Sequence, residues 1–306
     1  MRGPRTDFRS LQRQNRRRSF VLAFVLFLTM AALGTALGAT WDNWLIGLLG
    51  GLVFAGVQYW IARAAGTRLV MMSAGARELL PGEDTQLWNV VHEAAIAAAM
   101  PPPKIWIIEE SSPNAFATGF KTDEAHVAIT TGLREKLDRA ELQAVMAHEL
   151  GHIKNGDTGF MVLMAVLVGS IAMLADLGLR SLWHGRGMNY SRGERGKSGA
   201  HVIAMVVVLV LAIIAPLFSR LLQAAVSRER EYLADATSVE LTRDPQALVN
   251  ALHKLSLDTT PMRRANRATQ HLWIVNPMRK LRGGGNALST HPPLSKRIAR
   301  IERLYA

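Results

Sequence analysis

The sequence predicts a mainly α-helical, integral membrane chain with a small β-sheet and two hydrophobic helix pairs. Three observations carry this. Apolar runs at about residues 19–39, 44–64, 160–179 and 202–222 each approach the roughly 20 residues that a helical bilayer span requires. Two short β-branched stretches, Lys104–Ile108 and His126–Thr131, lie between the two pairs. Capping patterns and charged helical periodicity fill most of the remainder.

Composition agrees with a chain of alternating apolar and polar regions. Of 306 residues, 49% are hydrophobic and 20% charged, with a mean hydropathy of +0.11. The net charge of +12 comes without a zinc-finger, RRM or helix-turn-helix pattern, so we read it as membrane flanks and expect no nucleic acid partner. The absence of cysteine excludes disulfides, a thiol nucleophile and thiolate metal ligands, leaving histidine and carboxylate.

Residues 1–18 form a basic tail, with Arg2, Arg5, Arg9, Arg13, Arg16, Arg17 and Arg18 against Asp7. The positive-inside rule places this tail in the cytoplasm. Residues 19–64 then form a transmembrane hairpin of helices at about 19–39 and 44–64. A cleaved signal ending near Ala36-Leu-Gly38 is the rival, but a second apolar run after only Thr40–Asn43 favours the hairpin. That loop lacks Lys and Arg, whereas Arg63 and Arg68 follow the second run, so the chain returns to the cytoplasm.

Residues 65–158 begin the polar domain. Val70 to Leu80 and Gln86 to Ala99 read as helices, followed by a break at Pro101–Pro103 and a strand at Lys104–Ile108. Ser112 to Gly119 reads as a loop, and His126–Thr131 as a second strand with His126 on its surface. An edge strand beside a metal-bearing helix would hold an extended peptide by main-chain hydrogen bonds. Asp138-Arg-Ala-Glu141 is a capping box that opens a helix running to a stop at Asn155-Gly156.

Residues 159–222 carry the second hydrophobic pair. The loop between its runs holds Arg180, Arg186, Arg192, Arg195 and Lys197 against Glu194, which conflicts with a full crossing. The alternative is a hairpin packed without crossing; either path brings the chain back to the side of His148. Residues 223–306 complete the polar domain, with Asp244-Pro245 opening a helix to about Leu257, a basic Gly-rich loop at Arg279–Asn286, and a basic helix at Ser295–Leu304.

The chemistry concentrates in His148-Glu149-Leu-Gly-His152. A four-residue step turns a helix by about 400°, so both imidazoles leave one face a turn apart and can share a cation. Glu149 is rotated about 100° from His148 and can reach a water on that cation. These are the groups that zinc-activated hydrolysis needs. A catalytic zinc usually takes a third protein ligand, and the candidates lie past the fourth apolar run in Ser227-Arg-Glu-Arg-Glu231-Tyr-Leu-Ala-Asp235. Alone this segment reads as a solvated charged helix. Beside the histidine pair, one of the two carboxylates would bind metal while the other takes a histidine's free N–H; with chain parity placing the segment on the right side, Glu231 is the favoured ligand.

Together with Asn155-Gly156-Asp157, Asn114-Ala-Phe-Ala-Thr-Gly119 and His291-Pro-Pro-Leu-x-Lys-Arg297-Ile, these motifs resemble HtpX, a family of integral-membrane zinc endopeptidases distantly related to the CAAX prenyl proteases. The resemblance implies a zincin-like metallopeptidase domain in which His148, His152 and Glu231 ligate one Zn2+ and Glu149 is the general base. Asp235 would back a ligating histidine, His291 would be catalytic, and Arg297 and Asn114 would contact substrate or oxyanion. It also implies a multi-pass protein of the cell inner membrane with a cytoplasmic active site. Its partners would be the bilayer and protein substrates, cleaved in quality control of misfolded or damaged membrane proteins. The alternatives are a non-catalytic metal-binding membrane protein and a prenyl-protein peptidase. Glu149 and a set of only three obvious ligands favour an open, catalytic site over a structural one.

Overall fold

The computed structural model describes residues 43–167, 228–263, 269–276 and 292–305 continuously, with isolated positions between 17 and 35 and between 170 and 217. Most of the basic tail, most of the second hydrophobic pair with its loop, and His291 therefore lie outside the described residues.

Helix α1 spans Trp44–Ala74 and opens with the Asn43 side chain accepting from Ile46 N. It starts where the second apolar run starts but continues ten residues beyond the expected end at 64. The separate helix expected over Val70 to Leu80 is not formed. Gly75, at φ 66°, donates back to the carbonyls of Met71 and Met72 and ends α1, and Ala76–Glu78 becomes strand β1. Among the described residues α1 is the one helix long and apolar enough to cross a membrane, and only 22% of its most apolar window is buried. A core helix of a soluble domain would hide that surface. Phe20–Ala32 and Thr158–Leu167 are shorter apolar helices.

Beyond β1 come α2 (Thr85–Ala97), β2 (Lys104–Ile108), β3 (Ala115–Thr118), a 3-10 turn (Thr122–Glu124), β4 (His126–Thr130), α3 (Thr131–Lys136) and α4 (Arg139–Lys154). Helix α5 is Thr158–Leu167; α6 (Arg228–Thr242), α7 (Pro245–Leu257) and α8 (Leu294–Tyr305) follow. Strand β3 corrects the loop expected from Ser112 to Gly119. Its small residues carry little strand signal of their own, and pairing with β4 imposes the extended form.

The sheet runs β1-β2-β4-β3, with β2 and β4 parallel in the centre and antiparallel edges on both sides. Both faces are covered. Ile105, Ile107, Ala115, Ala117, Val127 and Ile129 pack into a core with α2, α4 and α7. Trp106, Ile108, Phe116 and Ala128 pack against Val70, Met71 and Ala74 at the end of α1 and against Met161 and Ala165 of α5. The apolar helix is therefore fused to the polar domain. Arg63 of α1 reinforces the joint by a two-point ion pair to Glu124, at 2.7 and 2.6 Å.

Candidate metal centre

Helix α4 supplies the centre of the site. Its capping box is complete: the Asp138 carboxylate accepts from Glu141 N, and the Glu141 carboxylate accepts from Asp138 N, at 2.9 and 3.0 Å. The helix ends at Asn155, as its stop signal predicts. Nearly all of α4 from Glu141 to Ile153 is buried, His148 and Glu149 included.

Helix α6 crosses α4 closely because the facing residues are small. Ser238 Oγ donates to the main-chain carbonyl of Ala144 at 2.6 Å. A Cβ on Gly151 would sit 3.2 Å from Thr237 Cβ and 3.4 Å from Ala234 Cα, so even a methyl group there would require α6 to give by a few tenths of an ångström. The crossing delivers Glu231 to the histidine pair. One oxygen of Glu231 lies 3.8 Å from His148 Nε2 and the other 3.6 Å from His152 Nε2.

These three side chains are buried, and their donor atoms all lie within 4.8 Å of one another. A tetrahedral zinc with bonds of about 2.0–2.1 Å holds its ligand atoms about 3.4 Å apart, so the observed spacing and the nitrogen–nitrogen–oxygen donor set fit zinc. Carboxylates back both rings: Asp235 lies 3.1 Å from His148 Nδ1 and Asp157 lies 3.4 Å from His152 Nδ1. Each fixes the tautomer that leaves Nε2 for the cation.

Burial and neighbouring charge pull the titrations apart. Burial, aided by Arg297, drives His148 down to about 4 against the pull of Asp235. Burial also opposes the charged form of His152, but Asp157, Glu231 and Glu149 outweigh it and lift that ring to about 9. Burial raises the Glu149 carboxyl to about 7; His152 opposes the rise and Glu231 adds to it. Burial disfavours the Asp235 carboxylate too, yet Arg297 and His148 hold it below its ordinary range.

The sequence-derived site residues separate into groups. His148, Glu149, His152, Glu231 and Asp235 converge as expected. Arg297, on α8, is fully buried against the ligands: Nε and Nη2 donate to the two Asp235 oxygens at 2.9 and 2.6 Å, Nη2 lies 3.3 Å from both ring nitrogens of His148, and Nη1 lies 3.0 Å from Glu231. Nε and Nη2 are held by Asp235 and Nη1 makes an ion pair with Glu231, a position that suits holding the ligands. Asn114 points its amide at the main chain of Val275. Asp157 and Arg230, whose Nε lies 3.6 Å from Asp157, are components that sequence reasoning assigned no role. The signal for Asp157 was its place one turn past His152 at the helix stop. Nothing local marks Arg230.

A buried His-Glu-x-x-His helix completed by a carboxylate from a second helix, on a sheet fused to an apolar helix, defines a membrane-bound zinc metalloprotease. Comparison with known proteins gives the family. Residues 81–305 match the profile of peptidase family M48. The chain is 40% identical over 295 residues to the "Protease HtpX homolog" of Thermoanaerobacter pseudethanolicus, covering 96% of this chain and 97% of that protein. It is 38% identical over 292 residues to the homolog from Levilactobacillus brevis, covering 95% and 97%. The chain belongs to peptidase family M48 and, within it, to the HtpX proteases. The crystal structure of S. mikatae Ste24p shares the fold, with a TM-score of 0.51 at 20% identity over 96% of this chain and 67% of that one.

Proposed function

We propose that the chain is an endopeptidase that cleaves membrane proteins at the cytoplasmic face of the inner membrane, in quality control, with Glu149 as general base. Bound zinc, held by His148, His152 and Glu231, supplies Lewis-acid chemistry that acidifies water and polarises a peptide carbonyl. Glu149 takes the proton from the attacking water and passes it to the departing amine. A carboxyl raised to about 7 suits a group that must both accept and return a proton near neutrality. Asp235 and Asp157 keep the two rings oriented, and Arg297 holds Asp235 and Glu231 in place.

The observation that carries the reading is the placement of Glu149, buried on the helix that carries both histidines and packs against strand β3, with the Ala117 main chain close enough to favour its charged form. A carboxylate there faces both the cation and an extended peptide laid on β3. The cytoplasmic side is supported by the seven arginines ahead of the first apolar run and by Arg63 and Arg68 after the second. Multi-pass topology, with residues 19–64 as a hairpin and 159–222 as a second pair, follows from the same apolar pattern.

The test is Glu149→Ala in the full-length chain with zinc. Metal content should match wild type, and casein cleavage should fall by about 10⁴-fold or more. Cleavage at the wild-type rate with metal bound would remove Glu149 from the mechanism.

A further inference from the structure

Strand β3 forms an edge of the sheet, and its pairing determines which main-chain groups face outward. Asn114 O accepts from Thr130 N, and Ala115, Phe116, Ala117 and Thr118 stand opposite Ile129, Ala128, Val127 and His126. Bonding alternates along an antiparallel ladder, so Phe116 and Thr118 direct their main-chain groups to β4, while Ala115 and Ala117 turn theirs away. Strand β3 packs against α4, and the Ala117 main chain lies near the Glu149 carboxyl, so the outward edge leads towards the metal centre. Two residues along, about 7 Å away, that edge is already taken. Ala115 O accepts from Ile274 N at 2.9 Å. Asn114 extends the pairing with its side chain: Nδ2 donates to Val275 O at 2.8 Å and Oδ1 accepts from Val275 N at 3.1 Å.

We propose that Leu272–Asn276 is a built-in competitor that occupies the strand edge on which a substrate would pair, so that a peptide must displace it to reach Glu149. This rests on the peptidase reading above. Main-chain pairing on a sheet edge is indifferent to sequence, so the chain's own segment and a substrate contend for the same groups. An amide that bridges the N–H and C=O of one residue makes the bonds an added strand would make.

The segment is also imperfectly satisfied where it sits. Trp273 is 1% exposed and packs edge-on against Phe116 with ring centroids 4.7 Å apart, yet among the described residues its indole N–H has no hydrogen-bond partner. Thr118 Oγ1, on β3 itself, is likewise buried and without a partner among the described residues. Native cores rarely keep such groups, and displacement would release one of them. Upstream, Ser112 Oγ donates to Thr260 O at 3.0 Å and Arg263 N donates to the Glu110 carboxylate at 2.8 Å. These tethers would hold the base of the segment while residues 272–276 lift.

Hydrogen exchange on the zinc-loaded full-length chain in detergent, with and without a hydroxamate bearing an extended tripeptide, tests this. The hydroxamate should protect α4 and accelerate exchange at Ile274 and Val275 by about tenfold or more. If α4 is protected while 272–276 keeps or gains protection, the competitor is refuted and the peptidase reading stands. If the hydroxamate neither protects α4 nor blocks casein cleavage, both fall. Val275→Pro removes the donor to Asn114 and should raise kcat/KM on a quenched peptide about fivefold at unchanged zinc content, the equivalent of one net hydrogen bond. A folded Val275→Pro enzyme with kcat/KM unchanged or lowered overturns the proposal; should that variant not fold, the exchange result on wild type decides alone.

Discussion

Arg297→Met separates a residue that holds the metal ligands from one that meets the substrate. The wild-type guanidinium makes contacts of 2.9 and 2.6 Å to Asp235 and 3.0 Å to Glu231, all inside the protein. Removing it leaves two buried carboxylates without their counter-charge, which costs about 3–5 kcal/mol. For a domain of this size each kcal/mol shifts melting by about 2–4 °C, so the metal-free variant should melt on the order of 10 °C below wild type. Zinc adds positive charge beside Glu231 and should recover part of the loss, making the variant's melting more zinc-dependent than the wild type's. Arg297→Lys keeps the charge but not the two-point geometry and should fall between. Scanning calorimetry with chelator and with zinc, alongside zinc stoichiometry and casein cleavage, reads all three. A methionine variant with wild-type melting and zinc content but no cleavage would refute the reasoning and return Arg297 to the substrate.

Further predictions address the crossing, protons and folding. Gly151→Val should wedge α6 away from α4 at a cost of about 1–3 kcal/mol and lower zinc retention against a competing chelator; unchanged retention would show that the close approach does not position Glu231. His152 is lifted to about 9, so at neutral pH zinc must displace a proton from it. Zinc affinity should therefore rise with pH through the neutral range, with proton release visible by calorimetry in buffers of different ionisation enthalpy; an affinity flat with pH would count against this. Asp84 caps α2 at Leu87 N and pairs with Arg134 at 2.6 Å. Burial opposes its charged form, but Arg134 and Leu87 hold its pKa below the ordinary value. Its stabilisation is thus present above that ordinary value and lost as pH falls through the lowered one. Asp84→Ala should cost about 1–2 kcal/mol at neutral pH, and the difference from wild type should shrink on acidification.

The parts of this molecule legible in the sequence are those set by short-range periodicity. His148 and His152 share a face because of helical pitch, and the capping box and the Asn155 stop act within a turn of α4. Glu231 could be chosen because a four-residue spacing paired it with Asp235 and chain parity put both on the right side. Strand β3 is not legible locally because Ala115 to Thr118 become extended through their partner β4. The end of α1 is not legible locally because residues 65–74 combine polar and apolar positions, and their helicity depends on packing against the sheet. The fork from Arg297 spans 62 positions to Asp235, and no local pattern encodes such a partner.

The continuous α1 rod sets how far the cleft can reach. At 31 residues it is about 46 Å long, whereas a bilayer's hydrocarbon layer takes up only about 30 Å. The rest is locked to the sheet through Val70, Met71, Ala74 and the Arg63–Glu124 clamp. If α1 spans the bilayer as proposed, this continuous stalk would hold the scissors at a constant altitude over the lipid. On the proposed reading, substrates would be sorted by geometry before chemistry: polypeptide that dangles loose at that height would come within range, and a tightly folded neighbour in the same membrane would not.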